Sequence, residues 1–198
     1  MSETAAKLPP ESGAAVMELK AGSLEDRIAR LEQQLQGLER RAVSNRATIV
    51  VFSGDLDKVR AGLVIATGAA AMGLEVSMFH TFWGLSALRK QRKVRGKNLL
   101  EQAMNVMTPA GLGSLTPSKL SFAGAGAAIL RKMMKDKGVQ SPEELFALAR
   151  ELGVKVLACE MSMDVMGIHR DELIDGVEVA GVAAYLGDAA DSKVTLFI

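Results

Sequence analysis

Cys159 is the single cysteine of the chain, and it stands at a point where a thiol can do chemistry. The stretch Val154 to Ile168 opens as a β-branched, apolar run that reads as a strand. It stops just before Ser162 and Asp164, two residue types that cap helices. The thiolate is the nucleophile, and an ordinary cysteine with a pKa of ~8.5 is mostly protonated at neutral pH. Backbone amides at the start of a turn or helix over Ser162 to Val165 would favour the anion, whereas Glu160 and Asp164 would oppose it if they faced the sulfur. A basic side chain folded in from Lys119, or from the run Arg89 to Lys97, would favour it again.

Met161, Met163 and Met166 flank the thiol in sequence. A thiolate with thioethers is a copper(I) donor set, while methionine more often serves as adaptable apolar lining, here of a sulfur pocket. His169 follows closely and His80 ends a second strand-like run. Either could act as a base, although isolated histidines are more often structural. One cysteine and two histidines form no zinc motif, so neither a metal nor any other cofactor is expected. The bland alternative for Cys159 is a small buried hydrophobe in a strand.

Composition narrows the function classes. The 198 residues suit one well-buried domain plus an appendage. Lys and Arg number 24 against 23 acidic residues, so no overall field gathers nucleic acid or anionic lipid. With one cysteine no internal disulfide can form, and Met1 to Ala21 lacks the pattern of a secretory signal, which makes the cytoplasm the expected location. Residues 1–22 mix turn formers and charges without a period and are expected to form a disordered tail.

An amphipathic or coiled-coil helix is expected over residues 23–44. Leu24, Ile28, Leu31, Leu35, Leu38 and Ala42 recur at alternating four- and three-residue steps, the seam of a heptad. Such a helix either joins copies of the chain or folds back on its own domain, and Gln33, Gln34 and Gln36 give partner choice little charge to work with. Residues 45–198 read as an α/β domain. Arg46 to Ser53 is a buried parallel strand, Gly54 and Asp55 turn the chain, and Asp55 to Gly73 is a helix leading to a strand from Glu75. Ala61 to Leu85 is apolar enough to suggest a membrane span, but Gly62, Gly68, Gly73 and the change to strand-like residues argue for a buried helix and strand instead.

The run Arg89, Lys90, Arg92, Lys93, Arg95, Lys97 reads as a solvated helix end and loop, with an anionic ligand or acidic partner as the alternative. Gly124 to Ile129 lacks the last glycine of a dinucleotide fingerprint and follows no strand, so it implies no nucleotide. Ser141-Pro142-Glu143-Glu144 starts another helix. Leu173 to Val179 is a fourth strand, and Lys193 to Ile198 a last one. About five mostly parallel strands with helices on both faces satisfy this alternation.

Four pieces then resemble the DsrE/DsrF-like family, in its branch labelled peroxiredoxin-like, over roughly residues 46–198. They are Phe52 to Lys58 (Phe-Ser-Gly-Asp-Leu-Asp-Lys), Thr81 to Leu85 (Thr-Phe-Trp-Gly-Leu), Ser118 to Gly126, and Ala158 to Gly167 (Ala-Cys-Glu-Met-Ser-Met-Asp-Val-Met-Gly). The resemblance implies a flavodoxin-like layered fold, assembly as trimers or hexamers, and a cysteine persulfide passed between partners. The sulfur-bearing residue would be Cys159. Ser162, Met161, Met163, Asp164, Lys119 and Gly54 are the candidate binding residues around it. A lone cysteine excludes a relay between two thiols of one subunit, so the acceptor would be a partner thiol such as that of a TusA-like protein, or a second Cys159. Peroxide reduction fits poorly, because Val156 stands where peroxiredoxins resemble one another in a Thr or Ser and no resolving cysteine exists. The competing expectations are an oligomeric interaction module with a structural cysteine, and a copper site at the Cys/Met cluster.

Overall fold

The computed structural model describes residues 24–36, 44–93, 96–119 and 125–198. The chain divides into two compact units, Met1–Ala42 and Val43–Ile198. The tail expected over residues 1–22 lies outside the described residues. In the first unit, helix α1 occupies residues 24–36.

The second unit is an α/β domain whose five strands form one parallel sheet in the order β4-β3-β2-β1-β5. Its elements are β1 (Ser44–Val51), α2 (Leu56–Ala71), β2 (Glu75–His80), α3 (Leu99–Met107), α4 (Ala125–Asp136), α5 (Pro142–Glu151), β3 (Lys155–Cys159), α6 (Glu160–Met166), β4 (Glu178–Ala180), α7 (Val182–Ala190) and β5 (Ser192–Phe197). Asn98 and Ser141 start α3 and α5 with reciprocal capping boxes to Glu101 and Glu144, the second as its Ser-Pro-Glu-Glu sequence predicts. Two boundaries differ from sequence expectation. The sequence from Trp83 to Lys90 reads as helical, and the structure has a 3-10 helix over Phe82–Leu88 whose Gly84 amide donates to Phe52 O beyond the end of β1. The fourth strand is confined to Glu178–Ala180, since the preceding chain turns through Asp175 and Gly176.

Strand residues alternate between the two faces of the sheet. Ala47, Ile49, Val51, Val76, Met78, Val156 and Ala158 face the main core, with Val59, Leu63 and Ala66 of α2 and Leu145, Phe146 and Ala149 of α5. The opposite face holds a much smaller cluster of Phe79, Leu157 and Cys159, with Ala180 and Tyr185 packed against it.

The basic run is not uniformly solvated. Arg89 and Lys97 are buried, and both meet the fully buried Glu172, Arg89 at 2.8 Å and Lys97 in close contact. Arg89 also donates to Asn105 and, at 3.1 Å, to Thr108 Oγ1. The backbone amides of His169 and Lys93 donate to the same carboxylate at 3.1 and 3.3 Å. Burial alone would raise the Glu172 pKa; Lys97, these amides and Arg89 outweigh it and hold the carboxyl below its ordinary value. A charge run in sequence cannot reveal this, because the counter-charge lies far along the chain. Among the described residues no helix is long and apolar enough to cross a membrane. The strand β2 is buried as expected, but α2 is only half-buried: Gly62, Leu63, Ala66 and Thr67 face inward while Val64 and Ile65 are exposed.

Candidate functional site

Cys159 closes β3, and its backbone serves as the N-cap of α6, so the strand turns into a helix at the thiol itself. The side chain makes no capping hydrogen bond. Residue alternation along β3 puts Val156 and Ala158 into the main core and leaves Leu157 and Cys159 on the other face. There the thiol is 4% exposed. Ala180 is its register partner on β4. Phe79 of β2 stacks on Tyr185 of α7 with ring centroids 5.3 Å apart, so one helix carries the cover over this cluster.

The candidate binding residues separate by side. Ser162 is fully buried, and its hydroxyl lies 2.7 Å from that of Thr81, which ties α6 to the end of β2. Met163 and Met166 enter the main core rather than the Cys159 cluster. Met161 and Asp164 are exposed. The methionines therefore do not gather round the thiol, and the copper donor set suggested by their spacing is dispersed because α6 turns them to different sides. Lys119 is exposed and lines an apolar groove with Pro117, Gly126 and Ile129.

His80 takes the opposite face from Cys159. Its register partner on β3 is Ala158, which faces the main core. Its Nδ1 lies 3.1 Å from the Gly84 carbonyl oxygen and acts as the donor, while Nε2 is buried without a partner among the described residues. Burial pushes its pKa down to about 4, against the smaller upward pull of the Gly84 carbonyl. It is a neutral core imidazole, and the sheet separates it from the thiol.

Gly54 belongs to a junction where the strand-end loops meet. A Cβ on Gly54 would come within 2.6 Å of the Trp83 carbonyl oxygen, and one on Gly84 would overlap that of Val51, so both positions require glycine for close backbone approach. The amide of Gly84 donates to Phe52 O at 2.9 Å and that of Thr81 to Val51 O at 3.0 Å. Phe52 stacks on Phe197 and tilts against Phe82, which holds a left-handed φ of 45°. Ser118 reaches the same region, its amide and hydroxyl donating to Asp57 at 2.8 and 2.7 Å. The four sequence pieces are thus linked in a chain of contacts: Ser118 to Asp57, Gly54 to Trp83, and Thr81 to Ser162 beside Cys159. A cavity of about 330 Å³ opens between Phe52, Gly54, Lys58, Trp83, Ser86 and Pro109.

Sequence reasoning missed Phe79, Thr81 and Tyr185. Alternation along β3 indicates that Cys159 and Leu157 share a face, but the identity of the covering helix depends on strand order, which no local pattern encodes.

This chain belongs to the DsrE/DsrF/DrsH-like family, whose model matches residues 43–197. Its relatives include the protein named "Uncharacterized protein YrkE" of Bacillus subtilis, 46% identical over 156 residues that cover 78% of this chain and 98% of that protein. The "Sulfur carrier protein DsrE2" of Allochromatium vinosum is 36% identical over 157 residues, 77% of this chain and 98% of its own length. Among solved structures, the YchN protein of E. coli matches with a TM-score of 0.45 and 14% identity over 77% of this chain and 98% of that one, a likeness that carries no functional weight.

Proposed function

We propose that this protein is a sulfur carrier that bears sulfane sulfur or a thiosulfonate on Cys159 and passes it to a thiol of a partner protein, such as a TusA-like carrier. The observation that carries the reading is the position of the thiol: the lone cysteine lies at the carboxyl end of a parallel strand, where α/β folds bind their ligands. Its kinship to a protein named as a sulfur carrier supports the same reading. In the loading step the Cys159 thiolate attacks the terminal sulfur of a persulfide or polysulfide. A sulfur–sulfur bond forms on Cys159, the donor's own sulfur–sulfur bond breaks, and the donor leaves as the shortened thiolate. With tetrathionate, Cys159 keeps a thiosulfonate and thiosulfate leaves. Delivery repeats the exchange on the acceptor thiol, so no external oxidant is consumed.

The thiol is buried in a cluster against which Tyr185 of α7 packs, and in this reading loading requires Tyr185 and α7 to move aside. Assembly as a homo-oligomer, a trimer or a multiple of it, belongs to the same reading. Phe197 is 72% exposed, and Val182 and Leu186 on the outer side of α7 are exposed as well, leaving apolar surface on this face of the domain for a neighbour to cover. The test is intact-protein mass after polysulfide or tetrathionate treatment. The expected result is a reductant-reversible gain on the wild type that Cys159→Ser lacks; equal labelling of the two, or none on the native protein, would sink the proposal.

A further inference from the structure

Along α1, Leu24, Ile28, Leu31 and Leu35 line one face as an apolar seam. Leu24, Ile28, Leu31 and Leu35 are each between 53 and 61% exposed. Most helical stability comes from covering an amphipathic helix's apolar face rather than from intrinsic propensity, so a seam of this kind calls for a partner surface. Counting heptads from the seam, Leu24 and Leu31 take position d and Ile28 and Leu35 position a. Glu25 and Glu32 then fall at e, Arg27 and Gln34 at g, and Asp26 and Arg30 at the outward f and c.

These flanking charges choose an occupant. In a parallel pair each g residue faces the e residue of the next heptad on the other helix, which sets Arg27 of each copy against Glu32 of the other. In an antiparallel pair e meets e and g meets g, so glutamates face glutamates. Ile28 at one of the two a positions, with leucine at both d positions, also suits two strands. We propose that α1 docks in parallel on α1 of a second copy of this chain, in register, with Arg27 and Glu32 fixing the orientation. The glutamines at 33, 34 and 36 do not oppose this, since only Gln34 flanks the seam and it is neutral. The pairing is independent of the chemistry of Cys159.

The test uses the full chain carrying Cys159→Ser and one new thiol, Leu24→Cys, at the first d position of the seam, where two parallel copies face each other. Thiol–disulfide exchange with a glutathione buffer measures how strongly two copies hold residue 24 side by side. The expected result is a covalent dimer that Arg27→Glu weakens by about fivefold or more and that Arg27→Glu with Glu32→Arg restores, because reversing both charges rebuilds the pair on the same seam. Ile28→Asp should abolish the preference. No covalent dimer in the parent chain, as expected of an antiparallel pair that holds the two thiols at opposite ends, would overturn the proposal. Failure of the double reversal to restore cross-linking, or no effect of Ile28→Asp, would overturn it too.

Discussion

The two faces of the sheet are built to different standards. One face meets α2 and α5 in a core that runs from Ala47 to Leu173, and it holds Leu56, Leu63, Met78 and Ala158 essentially free of solvent. The other buries Phe79, Leu157 and Cys159 under α7, a helix with no fully buried residue. Local opening costs least where few apolar contacts must break. The thick face therefore sets global stability, and the thin one sets access to the thiol. A buried cysteine and a reactive one are compatible under this division, because the cover can lift without unfolding the domain.

Breaking the thick side should cost most. Glu172→Gln leaves Arg89 and Lys97 buried without their carboxylate, and urea denaturation should show a loss of about 3–5 kcal/mol. Because the folded-state pKa of Glu172 is depressed, its stabilisation is present at neutral pH and is lost as acid passes below the ordinary carboxylate range. Leu63→Ala opens a cavity in the same core and should cost about 2–5 kcal/mol, with little change in the alkylation rate of the native thiol. His80 adds a pH signature. Its pKa is about 4 when folded against the ordinary 6.5 of an unfolded chain, so the unfolded chain binds the extra proton and stability falls as pH drops through that window, by about 3 kcal/mol. A His80→Asn variant should lose this slope in denaturation series between those pH values, whatever its stability at neutral pH.

The smallest change in stability should carry the largest change in access. Tyr185→Ala removes a stacked pair worth about 0.5–1.5 kcal/mol together with half-exposed surface. Its melting temperature should fall less than that of Leu63→Ala, while alkylation of Cys159 accelerates about tenfold or more. If Leu63→Ala accelerated labelling as much, the two faces would not be independent.

Much of this architecture was legible in the sequence. The β-branched runs at Arg46 to Ser53 and Val154 to Cys159, with the Ser141 cap and Pro142, specify parallel strands and helices through local rules that packing did not overrule. The candidate site was legible only in part. Cys159 is where local signals put a strand end, but α6 starts at Glu160 with Cys159 as its N-cap, so Ser162 and Asp164 lie inside the helix rather than capping it. Yet Ser162 pairs with Thr81, and the cluster that holds the thiol is packed against by Tyr185, through contacts between elements remote in sequence. Arg89 and Lys97 show the same limit: as members of a charge run they read as solvated, and only the distant Glu172 explains their burial.

The central claim is that Cys159 takes up sulfur through the thin face. The most direct measurement is the rate at which native protein gains sulfur from polysulfide, followed by intact mass in the wild type, Tyr185→Ala and Cys159→Ser. The account predicts an adduct on the wild type, faster loading in Tyr185→Ala and none in Cys159→Ser. An adduct that forms only in denaturant, or at the same rate with and without Tyr185, would contradict it.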